Sequence, residues 1–176
     1  PLHSPEDYAH LDEVIAADLP DGPLDAIGFS AGARVLLRIE ARQPGRFERL
    51  VLAGIGARAI SDAEREGFAD HLDRDDASMV DDPIVRHFTE LARSSGSDTD
   101  AVVAILRHGG IGLDAASLGA VRADTMVVIG DRDDAGPGEP LAEAIPGARL
   151  ATLRGVDHFS TPKSMGFLDA GLGHLG

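Results

Sequence analysis

The sequence predicts an α/β fold built on a parallel sheet, and three observations carry that prediction. Short apolar runs of strand length recur between stretches of helical period, and strands separated by helices run parallel, joined by right-handed crossovers. One such run, Leu24 to Phe29, passes into a helix at Ala31 with almost no loop between them. The 176 residues suffice for one ordinary core and not for two, so a single sheet has to account for the chain.

Ser4, Pro5 and Asp7 supply an N-cap, a first-turn proline and a capping acid. Tyr8, Leu11, Ile15 and Leu19 follow at helical spacing as far as Pro20, so the first element is an amphipathic helix. A turn at Asp21, Gly22 and Pro23 leads into Leu24 to Phe29, an apolar run suited to a buried strand. Residues Ala31 to Arg42 carry Val35, Leu36 and Ile39 on one helical face and stop near Pro44 and Gly45, after which Leu50 to Ile55 reads as a second buried strand.

From about Ala57 to Leu118 the pattern changes to three capped helical stretches, beginning near Ser61, Asp82 and Asp98, with no strand among them. The alternation then returns as a strand at Thr125 to Ile129, a short helix at Pro140 to Ile145, a strand at Ala148 to Leu153 and a closing helix at Pro162 to Leu172. Residues 1–56 and 119–176 are thus expected to form one core, with 57–118 as a helical insertion.

Composition removes several function classes. Sixteen basic against thirty acidic side chains leave a formal charge of −14, which repels phosphate backbones and anionic lipid heads, so nucleic acid is not an expected partner. No run of apolar residues is long enough for a membrane span. Without cysteine there is no disulfide framework, thiolate nucleophile or cysteine-based metal site, and a reducing compartment is compatible. With no leader-like pattern at Pro1, a cytoplasmic location is expected. Lys163 is the only lysine, a poor basis for Schiff-base chemistry.

No metal is expected. The acidic run from Asp131 resembles a calcium loop, but Ala135 and Ala142 stand where it needs oxygen donors, and no histidine pair has zinc spacing. No glycine-rich loop with a following lysine offers a phosphate cradle, so the expected chemistry is free of cofactors.

What remains is an oxygen nucleophile. Gly28, Phe29, Ser30, Ala31 and Gly32 form a GxSxG pattern between an apolar strand and a helix. That placement lets the glycines support a tight turn, so the serine hydroxyl projects and the next backbone N–H points where an oxyanion would develop. Ser30 is the candidate nucleophile, and a serine of ordinary acidity needs a histidine base and an orienting carboxylate. In a parallel sheet these belong at carboxyl ends of strands. One strand there runs into Gly130, Asp131, Arg132, Asp133 and Asp134, and another into Gly155, Val156, Asp157, His158 and Phe159. The remaining histidines, His3, His10, His71, His87, His108 and His174, fall on helices or tails and are expected at the surface or in the packing of the helical insertion.

The elbow at Gly28 to Gly32, the Gly-x-x-Asp turn from Gly130 to Asp133 and the Gly-x-x-His turn from Gly155 to His158 stand in the order Ser, Asp, His. In this the chain resembles the α/β-hydrolase fold family, from the helix before the nucleophile strand to the last helix. The resemblance implies Ser30 as nucleophile, Asp133 as orienting acid, His158 as general base and the Ala31 N–H as one oxyanion donor. Asp131 and Asp134 are the rival acids. It also implies that residues 57–118 form a lid over Ser30; of its apolar residues, Phe68, Leu72, Phe88, Leu91, Val102 and Leu106 have the character of an acyl-pocket lining, but their helical spacing favours the lid's own core.

Members of that family have further strands before the nucleophile helix, and the sequence is expected to lack them. The strand Leu24 to Phe29 then becomes an open apolar edge, suited to self-association or to pairing with a partner chain. The expected function is a serine hydrolase acting on a small-molecule ester or related acyl substrate. Two alternatives are a non-catalytic remnant that needs a partner, and a non-hydrolytic use of the same triad as haloperoxidase, lyase or C–C hydrolase.

Overall fold

A computed structural model describes residues 10–60 and 113–176. The chain divides into two compact units, Asp12–Ile60 with Gly112–Gly176, and Pro1–Leu11 with Ser61–Ile111. The first unit contains the sheet. The helices expected from Ser61, Asp82 and Asp98, and with them the lid, lie outside the described residues.

The described elements are α1 (Leu11–Asp18), β1 (Leu24–Phe29), α2 (Ala31–Arg42), β2 (Phe47–Ala53), α3 (Ala115–Gly119), β3 (Asp124–Gly130), α4 (Glu139–Ala144), β4 (Arg149–Leu153) and α5 (Met165–Leu175). Short 3-10 turns occupy Ala57–Ile60 and Thr161–Lys163. The strands form one four-stranded sheet in the order β1-β2-β3-β4, and every neighbouring pair is parallel. The fold class is therefore the expected one, a parallel sheet with flanking helices.

Burial explains the strand sequences. Leu50, Val51, Leu52, Val127, Val128 and Ile129 are at most 1% exposed, so the central strands are covered on both faces and read as continuous apolar runs. Among the described residues β1 pairs only with β2, and it alternates, with Asp25 and Ile27 exposed and Gly28 buried. Among the described residues it is the edge the sequence leads one to expect, but half covered where its apolar run suits a buried strand.

β2 begins three residues before the expected Leu50, because Phe47 is buried and its N–H is taken by Glu40 at 3.0 Å. It ends at Ala53, where Gly54 turns the chain at φ +64°. On α2 the buried residues are Ala33, Val35, Leu37, Ile39 and Glu40, so Leu37 takes the place expected of Leu36. The closing helix starts at Met165 rather than Pro162, which belongs to the preceding 3-10 turn.

Three buried polar groups knit these elements together. Glu40 is fully buried and accepts from four backbone amides: Gly45 at 2.8 Å, Phe47 at 3.0 Å, Arg122 at 2.9 Å and Ala123 at 3.0 Å. One carboxylate thus joins α2, the turn after it and the approach to β3, at the amino ends of the strands. Asp12 on α1 is buried against Arg38 and Arg42 of α2. His174 on α5 is also buried; its Nε2 donates to the Asp124 carbonyl at 2.8 Å, and its Nδ1 accepts from Arg149. His174 therefore pins the last helix to the start of β3. Among the described residues no helix is long and apolar enough to cross a membrane.

Candidate active site

All four strands end on the same side of the sheet, and the turns that leave β1, β3 and β4 carry Ser30, Asp133 and His158. Ser30 lies between β1 and α2 with φ 51° and ψ −117°, and among the described residues no other non-glycine residue has positive φ. This strained conformation is held from both sides. The Ser30 N–H donates to the Ala53 carbonyl at 2.8 Å, and its carbonyl accepts the first helical bond from Arg34 at 3.2 Å. A Cβ on Gly28 would stand 2.6 Å from the Ala33 Cα, so only glycine lets strand and helix meet this closely. At Gly32 an added Cβ meets nothing within 4 Å. Ala31 opens α2, and helix geometry leaves its N–H without an intrahelical acceptor, beside the Ser30 side chain.

Asp133 sits in a turn closed by its own N–H to the Gly130 carbonyl at 3.1 Å and by the Gly136 N–H to its carbonyl at 3.2 Å. Its side chain is 0% exposed. The carboxylate accepts from the Ala135 N–H at 2.9 Å and faces His158 Nδ1 at 3.0 and 3.1 Å. The opposite nitrogen, His158 Nε2, stands 3.1 Å from Ser30 Oγ. With a carboxylate at Nδ1, that nitrogen carries the proton, which leaves the Nε2 lone pair for the serine hydroxyl.

The imidazole is also boxed by rings. Phe29 lies against it with centroids 4.8 Å apart and a 38° tilt, and Phe159 meets it edge-on at 5.3 Å and 83°. Room for the Phe29 ring comes from Gly54, where a Cβ would be 2.4 Å from Phe29 Cε2 and 3.3 Å from His158 Cε1.

Solved structures share this frame. The chain superposes on a carboxylesterase structure from the thaumarchaeon Nitrososphaera gargenis with TM-score 0.68 and 17% identity, covering 98% of this chain and 72% of that one. It matches MGS-M2, an alpha/beta hydrolase enzyme from a deep-sea metagenome, with TM-score 0.67 and 17% identity over 96% and 70% of the two chains.

The chain has the α/β-hydrolase fold.

A bromoperoxidase from Bacillus anthracis is a further neighbour of this fold, with TM-score 0.65 and 19% identity over 97% and 72% of the two chains. No protein-family model matches the chain, and no curated protein sequence matches it.

Within the α/β-hydrolase fold the two rival acids are placed elsewhere. Asp131 is exposed and accepts from the Gly155 N–H at 2.7 Å, and Asp134 is exposed. Asp157 caps the turn that carries His158. It accepts from the Ser160 N–H at 2.8 Å, while its carbonyl receives the Thr161 N–H at 3.1 Å and the Thr161 hydroxyl at 2.9 Å. The Ser160 hydroxyl, followed by the Ser160 amide, holds the Asp157 carboxyl below the usual carboxylate range. The ring contacts of Phe29 and Phe159 and the clearance at Gly54 carry no sequence signal of their own, although an aromatic residue in the elbow is a hint. Among the described residues no three His, Asp or Glu side chains converge as metal ligands.

Proposed function

We propose that the protein is a serine hydrolase that cleaves a carboxylic ester or related acyl bond through an acyl-enzyme. The observation that carries this reading is the unbroken relay of contacts from Ser30 Oγ to His158 Nε2 at 3.1 Å and from His158 Nδ1 to the buried Asp133 carboxylate at 3.0 Å. Ser30 Oγ attacks the substrate carbonyl carbon as its proton passes to His158 Nε2. The carbonyl oxygen becomes an oxyanion beside the Ala31 N–H, at the positive end of α2. Collapse expels the alcohol, which takes the proton from Nε2. Water, deprotonated by the same nitrogen, then releases the carboxylic acid and restores Ser30. Asp133 stays ionised throughout, holding the imidazole in one tautomer and stabilising its cation.

The test is intact-mass analysis of the folded chain after a fluorophosphonate probe. One adduct, absent from Ser30→Ala and from His158→Ala, is the expected outcome. A folded chain with no adduct would instead favour a remnant without activity. The likeness to a bromoperoxidase supports one alternative, a non-hydrolytic reaction on the same three residues. A labelled chain that turns over no ester in a substrate panel would favour it.

A further inference from the structure

We propose that Asp131 is a positioning residue for this reaction: its carboxylate latches the turn carrying Asp133 to the turn carrying His158. The inference rests on the roles proposed above for Ser30, Asp133 and His158. The pairing of β3 with β4 ends at Gly130 opposite Leu153, so beyond that point the sheet no longer sets the separation of the two turns. Three hydrogen bonds continue the contact. The Asp131 N–H donates to the Leu153 carbonyl at 2.9 Å, the Arg132 N–H to the Val156 carbonyl at 3.1 Å, and the Gly155 N–H to Asp131 Oδ1 at 2.7 Å.

The first two are main-chain bonds that almost any residue makes. The third alone depends on the side chain at 131. The turns also touch directly, since a Cβ on Gly130 would lie 2.0 Å from the Val156 carbonyl oxygen. The latch sits two residues before Asp133 and three before His158, at the root of both. The Asp133 to His158 contacts of 3.0 and 3.1 Å leave little slack, because a hydrogen bond weakens steeply as its geometry opens. Asp131 is exposed, so its removal strands no buried charge, and the effect falls on alignment more than on folding.

The experiment compares wild type, Asp131→Ala, Asp131→Asn and Asp133→Asn. It reads fluorophosphonate labelling rate, kcat and KM on a p-nitrophenyl ester, thermal midpoint, and the NMR signal of the His158 Nδ1–H. Asp131→Ala is expected to label and turn over about tenfold more slowly, with KM within about twofold of wild type. Asp131→Asn, whose side-chain oxygen still accepts from Gly155, is expected to recover nearly all of the rate. Asp133→Asn is expected to lose far more, on the order of 10⁴ in kcat.

The NMR signal should persist in wild type and Asp131→Asn and broaden by exchange in Asp131→Ala, whether or not the chain labels. A folded wild type that keeps the signal but never labels overturns the hydrolase reading and leaves the latch to be judged by NMR. An Asp131→Ala variant with wild-type signal and rate overturns the latch. So does an Asp131→Asn variant as slow as the alanine, which would assign the effect to charge.

Discussion

At the scale of single residues, the candidate site depends on side chains that are missing as much as on those present. Gly54 combines positive φ with a position under the Phe29 ring, so any side chain there is strained and collides with the stack that holds His158. Gly54→Ala is expected to keep the fold and to slow labelling of Ser30 by about 10- to 100-fold, because an ångström of misplacement at a reacting group costs that much. Labelling rate and circular dichroism together check it; a wild-type rate would mean that Phe29 yields without moving the imidazole. Ser30 faces the opposite constraint. It holds a conformation favoured by glycine, yet needs its hydroxyl, and the bonds from its amide to Ala53 and from Arg34 to its carbonyl keep it there.

At the scale of elements, Glu40 and Asp157 show how one carboxylate organises several segments. Glu40→Ala leaves four amides without their acceptor, three of them at the starts of β2 and β3. The expected loss is about 3 kcal/mol or more, read from urea denaturation. The Ser160 hydroxyl, and then its amide, hold the Asp157 carboxyl below the ordinary carboxylate value. A lowered carboxyl contributes stability that is complete above the unfolded value and is lost as pH falls through the folded one. Asp157→Asn does not titrate there, so its thermal midpoint and that of wild type should converge as pH drops from 5 to about 2. Parallel curves would mean that the cap does not feel protonation.

Glu40 also marks where the sequence is silent, in contrast to the candidate site. Ser30, Asp133 and His158 were readable because each sits at a strand end inside a short glycine-marked turn, a constraint local enough to leave a pattern. Glu40 looks like any helical acid facing water, and two of its partners lie 82 and 83 residues away, so nothing nearby announces that it is buried. The same holds for Asp12, whose partners are on another helix, and for His174, whose buried contacts with Arg149 and the Asp124 carbonyl leave no local pattern. The strands were legible to within a few residues because buried parallel strands are apolar throughout. The edge position of β1 was expected too, but its alternating burial was not, since that depends on what covers each face of the strand.

At the scale of the whole molecule, Ser30 and His158 are 128 residues apart and meet only when β1 to β4 are all in register. Reactivity at Ser30 should therefore vanish with the sheet and not before it. In a urea titration, labelling rate and far-ultraviolet circular dichroism are expected to fall with coincident midpoints. Labelling lost at clearly lower urea would place the weak point in the turns.

Glu40 gathers its bonds at the amino ends of β2 and β3, in a parallel sheet whose opposite rim leads to Ser30, Asp133 and His158. A seven-residue strand puts these two groups about 20 Å apart, beyond the range over which substitutions usually influence one another. Selection can thus vary the side chains at the carboxyl rim while the amino rim keeps the chain folded, and a library confined to the carboxyl rim should retain solubility and circular dichroism.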